Sequence, residues 1–176
     1  MMNNQRGVAL FISLVLLLVL TIIGVSAVQT TSLEERMARN TNDSVLAFES
    51  AEVALRTAEE FLRSNVNSTA LFPTGGNNGL WKASNYLQPE RWLQANVWAG
   101  NNSVELPADT IAGVAQQPRF IIEWVATIQR SENPYMMVQS TNALFDRIEI
   151  FRITARGVGG TANARVLLQS TFGLIF

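Results

Sequence analysis

The chain has 176 residues, 48% of them hydrophobic, and 13 basic residues against 14 acidic ones give it a net charge of −1. The basic residues are scattered along the sequence, which argues against nucleic acid as a direct partner. Cysteine and histidine are both absent, which excludes disulfides, thiol nucleophiles and the commonest transition-metal ligands. We therefore expect no catalytic residue, no cofactor and no metal, although carboxylate chemistry stays possible.

An apolar run without any ionisable side chain extends from Val8 to Val28, directly after Arg6 and Gly7. As a helix it would be about 31 Å long, which matches the hydrocarbon core of a bilayer. The junction allows three interpretations: a secretory signal peptide cut after Ala27, a plain anchor with a cytoplasmic N-terminus, or a short leader cut after glycine. Periodicity alone does not choose among them.

The helical pattern continues beyond the apolar run. Residues 29–66 contain neither proline nor glycine, and small or apolar residues recur there at steps of three and four, which predicts an amphipathic half of the same helix packed on a sheet. In residues 40–44 the side chains compete for backbone hydrogen bonds, so we expect a bend or local loosening there. The stripe facing the sheet would be Val45, Phe48, Ala51, Leu55, Ala58, Leu62 and Val66.

Residues 67–118 are rich in asparagine, glycine, serine and proline, which predicts a long irregular connection with one short helix at 89–96. Three tryptophans lie in this connection. Their rings could pin the loops onto the core, which is the interpretation we favour. Alternatively, they could form a surface that binds sugar or protein. These residues are Trp81, Trp92 and Trp98.

The C-terminal third, residues 119–176, has the pattern of an antiparallel sheet. The apolar alternation slips between Ile150 and Phe151, which indicates a bulge or a strand covered on both faces. We expect the glycines of residues 157–160 to supply the positive φ angles of a tight turn. The fold class is therefore α+β, with one long N-terminal helix packed on this sheet. The predicted strands are 119–129, 147–156 and 162–172.

Three segments of the chain resemble minor pilins of the type IV pilin superfamily: QRGVALFISLVLLLVLTIIG, ERMARNTNDSVLAFESAEVALRTAEEFL and RITARGVGGTANARVLLQSTF. The resemblance implies a pilin-like fold in which residues 1–7 are a prepilin leader and residues 29–176 form one globular head. It also implies that a prepilin peptidase cuts between Gly7 and Val8, that Val8 is N-methylated, and that the helix of residues 8–28 crosses the membrane and stacks into the filament core.

Position 12 departs from the family pattern. Most pilins carry glutamate at the fifth position of the mature chain, where this sequence has Ile12. In the family that carboxylate is thought to pair with the N-terminal amine of a neighbouring subunit, and a buried ammonium without a partner is costly. A subunit with Ile12 fits best at the filament tip, where no subunit lies above it. Alternatively, Ile12 only makes the span more hydrophobic.

The resemblance implies a structural protein that joins other minor pilins and the major pilin to prime a type IV pilus, with roles in twitching motility and adhesion. Its partners could include a tip adhesin. It would cross the inner membrane once, with a periplasmic head, before entering the surface pilus. Alternatives are a type II secretion pseudopilin, a membrane-tethered binding protein, or an enzyme or calcium site at Glu105/Asp109 or Glu132/Asp146.

Overall fold

The computed structural model describes residues 5–85, 87–129 and 147–175. One α-helix, α1, runs from Gln5 to Asn65. Contacts divide the chain into a first unit that ends at Asn42 and a second unit from Asp43 onward, here called the head. Four short 3-10 helices occupy Thr69–Leu71, Arg91–Leu93, Ala95–Trp98 and Gly100–Asn102. The strands are β1 (Leu80–Lys82), β2 (Val104–Glu105), β3 (Arg119–Gln129), β4 (Arg147–Val158) and β5 (Arg165–Leu174).

Helix α1 continues without a break through residues 40–44, where we expected a bend or a local loosening but no break. The boundary between the two units falls inside this segment, after Asn42. The predicted head began at residue 29, whereas the compact unit begins at Asp43, because the side chains of residues 29–42 are all exposed.

The sheet has the order β1-β3-β4-β5, and β2 pairs separately with β3. The three long strands are antiparallel, as the sequence predicts, but β1 runs parallel to β3, so the sheet is mixed. The two short strands β1 and β2 come from the connection and were not predicted. The α+β class, with a long apolar N-terminal helix and a C-terminal sheet, is confirmed.

A β-bulge lies opposite the predicted slip in apolar alternation. Trp124 pairs with Phe151 and Ala126 pairs with Ile150, which leaves Val125 outside the register of β3. The slip in β4 therefore reflects an extra residue in its neighbour. Strand β4 is also covered on both faces, because Phe151 and Thr154, whose side chains point to opposite faces, are both buried.

The helix meets the sheet through small side chains. The predicted stripe is wrong at its N-terminal end, since Val45 is 49% exposed and Phe48 is 47% exposed. By helical geometry Val45 lies on the side opposite Ala47, and the helix approaches the sheet too closely for larger residues there. Leu55 packs against the core while staying partly exposed. The fully buried positions of the helix are Ala47, Ser50, Ala51, Ala54, Ala58 and Leu62.

The glycines at the end of β4 allow this close approach and do not form a positive-φ turn, which corrects the prediction for residues 157–160. Among the described residues, the glycines with positive φ all lie elsewhere, in the connection. A Cβ on Gly157 would lie 2.1 Å from the Ala47 carbonyl oxygen, and one on Gly159 would lie 2.3 Å from an Asp43 carboxylate oxygen. That carboxylate accepts hydrogen bonds from the backbone N–H and the hydroxyl of Thr161.

Replacing Gly157 with alanine should destabilise the head by about 2 kcal/mol, because the new methyl group overpacks a contact between two backbones. Thermal unfolding of the detergent-solubilised chain, monitored by circular dichroism, measures this loss of stability. Gly75→Ala is the matched control, since a Cβ there meets nothing within 4 Å. Equal midpoints for the two variants would contradict the close contact.

Candidate functional site

The first unit exposes an uninterrupted apolar surface. Fifteen large apolar side chains between Val8 and Val28 are 42–70% exposed. Leaving each one in water costs about 1.5–3 kcal/mol, so the total exceeds the roughly 5–15 kcal/mol by which a domain is stable. The helix is long and apolar enough to cross a membrane. This surface therefore requires lipid or other protein chains around it.

The predicted processing residues lie on this exposed helix. A Cβ on Gly7 would meet nothing within 4 Å, while Val8 is 59% and Ile12 is 57% exposed. Ile12 follows Val8 by four residues, so the two side chains share one face of the helix. The hydroxyls of Ser13 and Thr21 donate to carbonyls of the preceding turn, at 2.9 and 2.7 Å. These polar groups therefore need no outside partner.

The three tryptophans of the connection hold it against the face of the sheet that lies opposite the helix. Trp81 is 3% exposed and packs with Val97 and Ile121, and Trp92 and Trp98 pack against the same cluster. The indole N–H groups of Trp81 and Trp98 donate to backbone carbonyls at 2.7 and 2.9 Å. These contacts favour the role of pinning the loops over an open sugar-binding surface.

A cluster of three charged side chains, of which Glu123 is buried, joins the connection to the sheet on the same face. Glu123 is fully buried, and its two carboxylate oxygens accept from the Arg152 guanidinium at 3.0 and 3.2 Å. A second carboxylate, on Glu90, lies 2.8 Å from Arg152. Burial alone would lower the pKa of Arg152, but the two carboxylates outweigh it and raise the pKa above its ordinary value.

An open groove of about 630 Å³ lies at the end of the sheet where β4 finishes and β5 begins. We call it the arginine groove, because Arg119, Arg156 and Arg165 line it together with a single acid, Glu105. Residues 114–117 and Trp98 complete its walls.

The three arginines of the groove differ in their partners. Arg119 forms an ion pair with Glu105 and also donates to the Ser103 hydroxyl at 3.2 Å. Arg156 stacks on the ring of Trp98, with its guanidinium carbon 5.0 Å from the ring centroid. Burial lowers the pKa of Arg156, the charges of Arg165 and Arg119 lower it further, and Glu105 opposes them.

Sequence reasoning missed this groove because its arginines are far apart in the chain. Arg119 and Arg156 are direct partners across β3 and β4, so the strand register brings them together. The groove could have been predicted only from the register of β3 and β4, and deriving that register requires the position of the bulge. Scattered basic residues in the sequence therefore concealed a local concentration of positive charge.

The carboxylate pairs considered for catalysis or calcium gain no support from the geometry. Glu105 is engaged by Arg119, and Asp109 is exposed in a loop with a φ of 63°. Glu132 and Asp146 lie outside the described residues. Within residues 5–85, 87–129 and 147–175, no group of three or more acidic side chains could hold a metal ion.

Two family models match the chain and together span residues 6–174. Residues 6–56 match a family described as PilX N-terminal, and residues 35–174 match one described as type IV pilus assembly protein PilX C-term. The chain belongs to the PilX family of type IV pilus assembly proteins. No curated protein and no solved structure matches it. Membership of the PilX family confirms the resemblance to minor pilins, and the apolar helix fits a membrane-anchored pilus component.

In this PilX-family chain, Arg152→Gln should destabilise the head by about 3 kcal/mol or more, because it leaves the buried Glu123 carboxylate without its partner. Thermal unfolding in detergent measures the effect. Arg56→Gln is the control, since the exposed pair between Arg56 and Glu52 should contribute about 0.5 kcal/mol or less.

A double variant separates the lost pair from a general packing defect. Adding Glu123→Gln to Arg152→Gln should recover part of the lost stability, because no uncompensated charge remains buried. If the double variant is as unstable as the sum of the two single variants, the ion pair is not the source of the effect.

Proposed function

We propose that this chain is a minor pilin that primes assembly of a type IV pilus and occupies the filament tip, thereby supporting twitching motility and adhesion. The observation that carries the proposal is the exposed apolar helix of a pilus assembly protein that has Ile12 where pilins usually carry glutamate. Its role is structural and not enzymatic.

Processing at the membrane is the first step of this function. A prepilin peptidase removes residues 1–7 by cutting between Gly7 and Val8, and Val8 is then N-methylated. Before assembly the chain crosses the inner membrane once, with its N-terminus in the cytoplasm and its head in the periplasm. The positive charge of Arg6 just before the span favours that orientation. Afterwards the subunit belongs to the cell-surface pilus.

Placement at the tip follows from the charge balance of the filament core. The N-terminal amine of a mature pilin is positive, and burying it among apolar helices is costly unless a carboxylate lies nearby. Because Ile12 offers no carboxylate to a subunit above it, the position with no subunit above has the lowest cost. Within a shaft, each copy of this chain would leave one amine without its partner.

Other minor pilins and the major pilin are the proposed partners, and a tip adhesin is a further one. Val45 and Phe48, on the helix of the head, expose apolar surface that such neighbours could contact. A type II secretion pseudopilus is the alternative assembly. Membership of a family of type IV pilus assembly proteins favours the pilus.

Mass spectrometry of the mature protein tests the processing step, and we expect a chain that begins at N-methylated Val8. Gly7→Val should retain the leader, whereas Gly24→Ala, which changes a glycine with open space around it, should be processed normally. A mature chain beginning at Val28 would indicate a secreted protein, and one beginning at Met1 a plain anchor. Either result would contradict the proposal.

Immunogold labelling of sheared pili tests the tip position. The native chain should label one end of each filament, whereas Ile12→Glu should also appear along the shaft, because its carboxylate can pair with the amine of a subunit above. Ile12→Leu keeps the span apolar and should label like the native chain. Unchanged pilus number together with unchanged subunit order in Ile12→Glu, measured by cross-linking, would remove the basis for the tip position.

A further inference from the structure

The arginine groove concentrates positive charge that the fold itself does not need. Arg119 and Arg156 face each other directly across neighbouring strands, and like charges in that arrangement destabilise a sheet. A third arginine, Arg165, begins the next strand and also lines the groove. Among the described residues, Glu105 is the only acid lining this groove, although the whole chain has a net charge of −1.

Two of the three guanidinium groups remain available to an outside ligand. Arg119 is held by Glu105 and Ser103. The Nε atom of Arg156 is buried and has no hydrogen-bond partner among the described residues, so a ligand in the groove would bind the terminal nitrogens of this guanidinium. Arg165 uses its Nε to donate to the Ala162 carbonyl at 2.7 Å, and the described parts of the chain place no carboxylate in an ion pair with it.

The groove also fixes the orientation of Arg156. Its guanidinium lies over the ring of Trp98, and stacking on an aromatic face limits the freedom of a planar cation. The indole N–H of Trp98 is itself bound to the Trp92 carbonyl, so the ring has a fixed position. A ligand therefore meets a pre-oriented donor and loses less conformational entropy on binding.

We propose that the arginine groove binds a carboxylate group of another protein chain, held by Arg156 and Arg165. Guanidinium groups form paired, charge-assisted hydrogen bonds with carboxylates. Burial and the neighbouring arginines also lower the pKa of Arg156, and a bound anion would offset both effects. The walls contributed by Val114, Ala115 and Gln116 suit a peptide segment.

Nucleic acid fits the groove less well than an acidic peptide does. A phosphate backbone requires basic side chains along its length, whereas here the positive charge is confined to one place. Binding at the groove needs neither processing at Gly7 nor a tip position, because every lining residue belongs to the head.

The test uses the full chain in detergent micelles with ¹⁵N-labelled arginine, followed by NMR of the Nε–H groups at low ionic strength. The probe is the peptide Ala-Glu-Glu-Ala with both ends blocked, and the blocked peptide Ala-Gln-Gln-Ala is its neutral counterpart. We expect saturable shifts of the Arg156 and Arg165 signals with the acidic peptide alone. Added salt should weaken these shifts, because it screens exposed charges.

Arg165→Gln should weaken binding of the acidic peptide about tenfold, because one charge-assisted contact is lost, and Arg156→Gln should weaken it at least as much. Arg165 is exposed, so the Arg165→Gln variant should have the same unfolding temperature as the native chain. Arg63→Gln is the matched control, since Arg63 also lies over an aromatic ring, that of Phe172, outside the groove.

A neutral peptide with a free C-terminus tests whether the bound carboxylate comes from a chain terminus or from acidic side chains. Binding of either supports the proposal.

Three results would overturn the proposal. The acidic peptide could produce no saturable shift, Arg63→Gln could weaken binding as much as Arg165→Gln does, or a short oligothymidylate could bind more tightly than the acidic peptide. The last result would identify a nucleic-acid site in place of a protein contact.

Discussion

The contact between the backbone of α1 and the end of β4 is the constraint on which the rest of the head depends. Ala47 and Ala51 bring the helix close, and Gly157 and Gly159 allow the strand to meet it without a side chain between them. Because β4 lies between β3 and β5, fixing β4 on the helix also positions both of its neighbours. The carboxylate of Asp43 then fastens Thr161, which follows β4, so this end of the strand is held by packing and by hydrogen bonds.

The opposite face of the sheet depends on a different interaction, because the connection that covers it has little regular structure. Tryptophan rings supply apolar contact there, and Glu90 of the connection supplies a directional one, because its carboxylate pairs with the same Arg152 guanidinium that binds Glu123 within the sheet. A buried ion pair gains little net stability over apolar packing, yet it strongly disfavours arrangements that leave one charge alone. The connection covers this pair and brings Glu90 to Arg152, so the charges favour one position of the connection in a chain without cysteine to fasten it.

The sequence was sufficient to predict the long helix, the three long strands and the α+β class, because these depend on local periodicity. It was insufficient wherever the answer depended on the distance between elements. Val45 and Phe48 were predicted to face the sheet because they continue the spacing of Ala51 and Leu55, but the small separation of helix and sheet, which local periodicity does not reveal, excludes them. The same small separation explains the glycines at the end of β4, which the sequence alone suggested were part of a turn. The arginine groove depends on strand register and on the bulge at Val125, which are also beyond local pattern.

The two units place different demands on a neighbouring chain. Side chains such as Leu14, Leu17 and Ile22 form an apolar surface that any lipid or any similar helix can cover, because burial of apolar surface is not directional. Such a surface provides energy for assembly but discriminates little among apolar neighbours. Charged groups at an interface provide specificity more than affinity, since a wrong partner leaves them desolvated and unpaired. In this chain the exposed helix can therefore drive association, whereas charged groups of the head, including Arg156 and Arg165 in the arginine groove, can distinguish one partner from another.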